Sequence, residues 1–218
     1  MSETIYAYYP VFRTTGSAED PEQQAHEAEI LFKEWAERVQ VRGTYSTVGF
    51  RSAEHLMMWW VARSPDDVQD LLVEFRRTAL GRRLDQTHAF MGLVRPAEFT
   101  ADHAPAFVRG EEPKRYLCVY PFVRTPEWYL LPPDDRSRLL REHGELGRQF
   151  PEVLANTTSA FALGDWEWIL AFEADDLDRI VDCIRRLREA EARKYTKEEV
   201  PFITGIRKEL AMAVRDLP

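Results

Sequence analysis

The stretch YPFVRT, residues 120–125, decides the fold because YPVFRT, residues 9–14, nearly repeats it half a chain earlier. A second echo follows each copy. WWVARSPDDV at residues 59–68 resembles WILAFEADDL at residues 168–177. Two weak echoes in the same order predict an internal duplication, in which each half of the chain builds the same structural unit.

Hydrophobic periodicity predicts one element order, β-α-β-β-α-β, in both halves. Alternating aromatic and β-branched residues indicate strands, and apolar residues three and four apart indicate helices. Ser64 and Pro65 mark one helix start, as an N-cap followed by proline at the first helical position. The predicted first-half strands are 4–15, 39–50, 55–63 and 87–95, with helices 20–38 and 64–77. The second-half strands are 116–125, 152–163, 166–174 and 200–208, with helices 132–150 and 175–195.

This order is that of the ferredoxin-like unit, whose sheet has helices on one face and a bare second face. Two fused units can bury their bare faces against each other, because an apolar sheet face needs a partner layer. We therefore predict an α+β protein of two fused ferredoxin-like halves, of the dimeric α/β-barrel type. Residues 1–96 form the first half, the polar and proline-containing residues 97–114 the linker, and residues 115–218 the second half.

Composition excludes several classes of protein. The formal net charge of −8 argues against a nucleic-acid binder that relies on a positive field. The two cysteines, Cys118 and Cys183, are far apart and form neither a disulfide framework nor a zinc motif. No secretory signal or membrane-length apolar run is recognised, so we expect a soluble cytoplasmic protein.

His143 lies on the apolar face of the predicted helix 132–150. Leu139, His143 and Leu146 share that face at helical spacing. Gly144 and Gly147 flank the histidine, although glycine within a helix costs ~1 kcal/mol relative to alanine. Such a histidine is usually a core residue bonded to a carbonyl. Alternatively it is a haem ligand facing an apolar pocket, with the glycines leaving room for a flat group. A zinc site is disfavoured, since no second ligand has suitable spacing on this face.

The strand before this helix places Tyr120 and Arg124 on one face, because side chains alternate along a strand. Tyrosine can carry a proton or a radical, and arginine can bind a carboxylate with two hydrogen bonds. Tyr9 and Arg13 repeat the spacing in the first half, where an aromatic ring that packs and an arginine that snorkels explain it. Only the second half combines this pair with the EHG motif at residues 142–144.

The chain resembles a known family. EEPKRYLCVYPFVRTPEWYLLPPDDRSRLLREHGELGRQFPEV at residues 111–153 and GDWEWILAFEADD at residues 164–176 are similar to the coproheme decarboxylases of the chlorite dismutase superfamily. The actinobacterial branch fits best. The resemblance covers nearly the whole chain, and its most specific motifs are YPFVR, EWYLLP and REHG. It implies two fused ferredoxin-like halves, a homopentamer, and a porphyrin bound in the C-terminal half.

The resemblance also implies a role for individual residues. His143 matches the proximal iron ligand, and Tyr120 matches the catalytic tyrosine that works as a radical. His103 matches the distal histidine that acts as a base towards hydrogen peroxide, and Arg124 a basic residue near a propionate. Ala155 stands where chlorite dismutases carry a distal arginine, which argues against chlorite decomposition.

Further residues are candidates for binding the porphyrin. Trp128, Trp166 and Trp168 are expected to line the pocket or relay an oxidising equivalent, although packing alone would also explain each of them. The propionates need cationic partners besides Arg124. Lys114, Arg115 and Arg207 are candidates, although an ordinary surface charge would also explain each of them.

The activity implied by the resemblance is peroxide-dependent oxidative decarboxylation of two propionates of iron-coproporphyrin III (coproheme). The product is haem b, and coproheme is both substrate and redox centre. A coproporphyrin ferrochelatase is the implied transient partner. Three alternatives stay open: a haem peroxidase of the same superfamily, a non-catalytic haem carrier or sensor, and a fused ferredoxin-like protein in which His143 is a core residue.

Overall fold

The computed structural model describes residues 4–16, 19–95 and 104–218. The first half follows the predicted order, with one extra short helix, α3. Its elements are β1 (Ile5–Thr14), α1 (Pro21–Trp35), β2 (Val39–Ser46), β3 (Leu56–Ala62), α2 (Pro65–Phe75), α3 (Ala79–Arg82) and β4 (Leu84–Val94).

The second half repeats this order with more additions. Its elements are β5 (Tyr116–Arg124), α4 (Pro126–Leu130), α5 (Pro133–Gly147), β6 (Leu154–Ser159), β7 (Trp168–Ala174), α6 (Leu177–Leu187), β8 (Thr196–Glu198), β9 (Ile203–Lys208) and α7 (Leu210–Arg215). The predicted helix 175–195 was too long. It ends at Leu187, and the separate 3₁₀ helix Glu191–Tyr195 follows.

The sheet pairings confirm two ferredoxin-like halves. The strand order is β4-β1-β3-β2 in the first half and β9-β5-β7-β6 in the second. Antiparallel pairing of β2 with β9 and of β4 with β6 joins the halves. These pairings close the sheet into a barrel, and β8 lies outside it, paired with the end of β5.

Local sequence explains where the principal helices begin. The Ser64 hydroxyl accepts a hydrogen bond of 3.1 Å from the Asp66 amide at the start of α2. The Asp20 carboxylate accepts one of 2.9 Å from the Gln23 amide at the start of α1. Each cap satisfies an amide that has no partner within the helix. Neither α4 nor α5 has a side-chain cap, but each has a proline in its first turn.

The core has three principal layers. The bare faces of the two sheets enclose the barrel interior, where Tyr9, Trp59, Leu117 and Ile169 pack together. A second cluster lies between the first-half sheet and its helices. A third lies between the second-half sheet and α6 and includes Tyr120. No described helix is long and apolar enough to cross a membrane.

Candidate functional site

A cavity of about 300 Å³ opens between the outer face of the second-half sheet and its helices. Tyr120 and Arg124 reach it from β5, Trp128 from α4, and His143 from α5. The alternation predicted for β5 is therefore realised, because Tyr120 and Arg124 line one cavity. Its volume is at the lower end of the range for small-molecule pockets.

His143 projects from the middle of α5 into this cavity. Leu139, one turn earlier, is buried against Trp128 and anchors the helix. No hydrogen bond joins the His143 ring to another described residue. Burial lowers the pKa of His143, and the positive charge of Arg124 lowers it further, against the opposing effect of Glu142. The imidazole is therefore held neutral, which is the form that can bind a metal ion.

Tyr120 is 6% exposed and lies between two aromatic rings. The centroid of its ring is 4.3 Å from that of Phe202, with 26° between the planes, and 6.1 Å from that of Phe172. Burial raises the pKa of Tyr120. The phenol therefore stays protonated, and both its proton and an electron are available to an oxidant in the cavity.

Arg124 is fixed by contacts to its neighbours. Its Nη1 donates a hydrogen bond of 3.0 Å to the Ala192 carbonyl, and its guanidinium lies 4.0 Å from the centroid of the Trp128 ring. Burial lowers the pKa of Arg124 to about 10, so it stays charged at neutral pH. The cavity thus contains a cation held in a defined orientation, as recognition of a carboxylate requires.

Three charged residues of the cavity wall were missed by the sequence reasoning. Arg188 follows the end of α6, Arg193 lies in the 3₁₀ helix, and Glu199 follows β8. Glu199 forms ion pairs with both arginines. A continuous helix was predicted over residues 175–195, so these arginines were not expected in the cavity wall. The chain instead breaks near Ala190, and this break turns the segment towards the cavity.

Other candidates lie elsewhere. Lys114 forms an ion pair of 2.9 Å with Asp175, and Arg207 donates to the Pro113 carbonyl at 3.3 Å. Neither residue lines the cavity, and neither does Arg115. They were proposed because they are cations, and no sequence pattern tied them to the strand face or helix that lines the cavity.

The distal candidates are only partly described. Ala155 is exposed on β6 and does not line the cavity, although Thr157, two residues along the same strand, does. Alternation places both on one face of the sheet. His103 lies outside the described residues. Among the tryptophans, Trp128 and Trp168 line the cavity, and Trp166 packs against the barrel interior.

The two glycines of α5 were interpreted as room for a flat ligand, and this stays a prediction. Neither Gly144 nor Gly147 lines the cavity. A Cβ atom at Gly147 would lie 3.7 Å from Leu187 Cδ2, and one at Gly144 would lie 3.6 Å from Arg148 Nη1. Both are ordinary contact distances, so alanine would fit at either position without displacing a neighbouring residue.

The donor set around His143 restricts the kind of metal that fits. No group of three or more His, Cys, Asp or Glu side chains among the described residues could hold a bare metal ion. A single neutral imidazole suits an iron whose other ligands come from a macrocycle. The apolar side chains Leu140, Leu170 and Ile184 in the cavity wall suit the faces of such a ligand.

Comparison with known proteins places the chain in a family. The family model described as chlorite dismutase matches residues 21–208. The chain belongs to the chlorite dismutase family. Its fold agrees with that of a chlorite dismutase from Candidatus Nitrospira defluvii, with a TM-score of 0.85 over 97% of this chain and 94% of the other, at 21% identity.

Two curated relatives in this family carry the same name. A coproheme decarboxylase from Mycolicibacterium smegmatis is 46% identical over 223 residues, which cover 100% of this chain and 96% of the relative. A coproheme decarboxylase from Thermus thermophilus is 25% identical over 80% of this chain and 76% of the relative.

Proposed function

We propose that this protein is a coproheme decarboxylase, which converts two propionates of iron-coproporphyrin III to vinyl groups and so produces haem b. The main support for the proposal is that His143, Tyr120 and Arg124 line one and the same cavity in the second half. The 46% identity with the mycobacterial enzyme supports the choice of reaction within the family.

The residues present fit coproheme. His143 offers a neutral nitrogen without a competing hydrogen bond to a described residue, and would hold the iron. Arg124, Arg188 and Arg193 would face carboxylates, and the apolar side chains between them would face the ring. When bound, coproheme supplies both the propionates to be decarboxylated and the iron through which hydrogen peroxide is reduced.

Tyr120 is the residue that we propose to link peroxide reduction to the propionate. Conversion of one propionate to vinyl releases carbon dioxide, a proton and two electrons, and one hydrogen peroxide takes two electrons and two protons to give two waters. Tyr120 would give up a hydrogen atom, become a radical, and regain a hydrogen atom from the propionate side chain, which accounts for one of the two electrons. The second electron would pass to the peroxide-derived oxidising equivalent as carbon dioxide leaves. Its buried, protonated phenol suits this role. His103 remains the candidate base for peroxide.

We further propose a cytoplasmic homopentamer that receives its substrate from a coproporphyrin ferrochelatase. These proposals rest on the family resemblance of the sequence. The assembly is tested by measuring the mass of the apoprotein in solution. The mass of a monomer or a dimer would contradict the proposal.

The experiment that tests the function follows porphyrin mass. Ferric coproheme is added to purified apoprotein, the Soret band is recorded, and hydrogen peroxide is then titrated. We expect a shifted Soret band followed by two successive losses of carbon dioxide. A bound porphyrin of unchanged mass would reject the decarboxylase and agree with a peroxidase or a carrier. An unshifted Soret band would reject all three.

Tyr120→Phe should bind coproheme but lose decarboxylation, because phenylalanine cannot form the radical. Tyr9→Phe is the matched control, since Tyr9 is the counterpart of Tyr120 in the sequence repeat but lies in the barrel interior, and its buried hydroxyl has no hydrogen-bond partner among the described residues. Full activity in Tyr120→Phe, or equal loss in both variants, would reject the role of Tyr120.

A further inference from the structure

Arg188, Arg193 and Glu199 form an ion-pair cluster in the cavity wall, which we call the Glu199 clamp. The two oxygens of the carboxylate are divided between the arginines. Oε2 pairs with Nη2 of Arg188, and Oε1 pairs with Nη1 of Arg193. The three residues come from three separate segments that converge beside β5.

Glu199 is the most enclosed member of the clamp. Its side chain is 15% exposed, compared with 39% for Arg188 and 38% for Arg193. Among the described residues that line the cavity, Glu199 alone is acidic. The carboxylate that pairs with these two arginines is therefore supplied by the chain itself.

The clamp lies near Tyr120. The guanidinium of Arg188 is 6.0 Å from the centroid of the Phe202 ring, and that ring stacks on Tyr120 at 4.3 Å. A ligand carboxylate that bound Arg188 and Arg193 would thus lie on the Tyr120 side of the cavity. Arg124 is held separately by Trp128 and the Ala192 carbonyl, and does not take part in the clamp.

Resting on the proposed function, we propose that Glu199 is a displaceable carboxylate. It occupies the site formed by Arg188 and Arg193 until a propionate of a tetracarboxylate porphyrin takes its place. When that propionate has been converted to a vinyl group, Glu199 pairs with both arginines again. Glu199 is thereby a specificity-determining residue that responds to the number of carboxylates on the porphyrin.

Charge balance explains the exchange. A carboxylate placed between two guanidinium groups forms charge-assisted hydrogen bonds with both, so the clamp favours states in which both arginines stay paired. Coproheme can replace Glu199 because one of its four carboxylates can pair with Arg188 and Arg193 instead. A porphyrin with only two propionates can leave the clamp closed and bind through other contacts, so the product does not hold the arginines.

The decisive variant is Glu199→Gln, with Glu189→Gln as its matched control. Glu189 is exposed, pairs with Arg186 and does not line the cavity, so its substitution changes the net charge equally without removing the competitor. The dissociation constants of ferric coproheme and of haem b are measured by Soret titration without peroxide. We expect Glu199→Gln to bind coproheme about tenfold more tightly, with the haem b affinity unchanged. The control should leave both affinities unchanged.

Equal tightening of both porphyrins, or an unchanged or weaker affinity for coproheme, would overturn the proposal. Arg193→Gln provides a second test should Glu199→Gln fold poorly. It should weaken coproheme binding about tenfold and leave haem b binding unchanged, whereas equal weakening of both contradicts the proposal. The proposed function fails separately: wild-type protein that binds coproheme without releasing carbon dioxide would reject the reaction but leave the affinity comparison intact.

Discussion

Arg42 and Glu173 join the two halves of the chain inside the protein. Nη2 of Arg42, on β2, lies 3.0 Å from Oε1 of Glu173, on β7, and their side chains are 6% and 0% exposed. Asn156 Nδ2 donates to the same oxygen at 3.1 Å, and the Lys114 amide donates to Oε2 at 3.1 Å. The carboxylate is therefore bonded to groups from both sequence repeats.

Removing one partner of this pair should destabilise the fold strongly. Arg42→Met leaves the Glu173 carboxylate buried without its cation, and we expect a loss of about 3–5 kcal/mol in the free energy of unfolding. Arg42→Met combined with Glu173→Gln should recover part of that loss, because both charges are gone and the amide can still hydrogen-bond. Urea denaturation measures all three proteins, and a double variant no more stable than Arg42→Met would contradict this account.

The destabilisation of Arg42→Met should depend on pH. Burial raises the pKa of Glu173, and Arg42 opposes that rise. Without Arg42 the folded-state pKa rises further above the ordinary value of 4.5, so the folded protein binds the proton more tightly than the unfolded chain does. Stability is then greatest at low pH and falls as pH rises through the folded-state pKa. We expect the stability deficit relative to wild type to shrink between pH 7 and pH 5, and a constant deficit would exclude this cause.

His143→Ala should abolish ligation of iron without unfolding the protein, because His143 is only partly buried and bonds to no other described residue. Added imidazole should restore a ligated spectrum by occupying the vacated position. Soret and electron paramagnetic resonance spectra of the ferric coproheme complex are the measurements. His26→Ala, on the exposed face of α1, is the control and should be spectroscopically unchanged. A wild-type spectrum in His143→Ala would assign the iron to another ligand.

The barrel could be predicted from the sequence because each half carries its own periodicity. The residue patterns of the strand around Tyr120 and of the amphipathic helix around His143 indicate which of their faces are buried. The repeat then indicates that the two bare sheet faces meet. The pairings of β2 with β9 and of β4 with β6 depend on contacts between distant segments, which no local pattern encodes.

Cavity-lining residues were predicted only where a single strand or helix contributes them. Tyr120 and Arg124 share a strand face, so alternation identified them together. Arg188 and Arg193 were missed because a continuous helix was predicted where the chain breaks near Ala190. Glu199 comes from a third segment, and its pairing with these arginines depends on how the segments converge.

Arg124→Lys should show that the planar guanidinium matters in addition to its charge. Lysine keeps the cation but cannot stack on Trp128 while also donating from a fixed orientation to the Ala192 carbonyl. We expect coproheme affinity, measured by Soret titration, to fall about tenfold. Arg13→Lys is the control at the matching position of the sequence repeat, where the side chain pairs with Asp85 at the surface. Unchanged affinity in Arg124→Lys would show that charge alone suffices.

Gly147→Ala tests whether the glycines of α5 leave room for the macrocycle. The added methyl would lie in ordinary contact with Leu187 and outside the cavity, so coproheme affinity should stay at the wild-type value. Stability should be equal or higher by up to ~1 kcal/mol, since alanine favours the helix. Gly81→Ala is the contrasting variant: its Cβ would lie 1.9 Å from the Phe75 carbonyl oxygen, and backbone must shift. Thermal unfolding should therefore separate the two variants. A Gly147→Ala protein that folds but fails to bind coproheme would show that this glycine does provide room for the macrocycle.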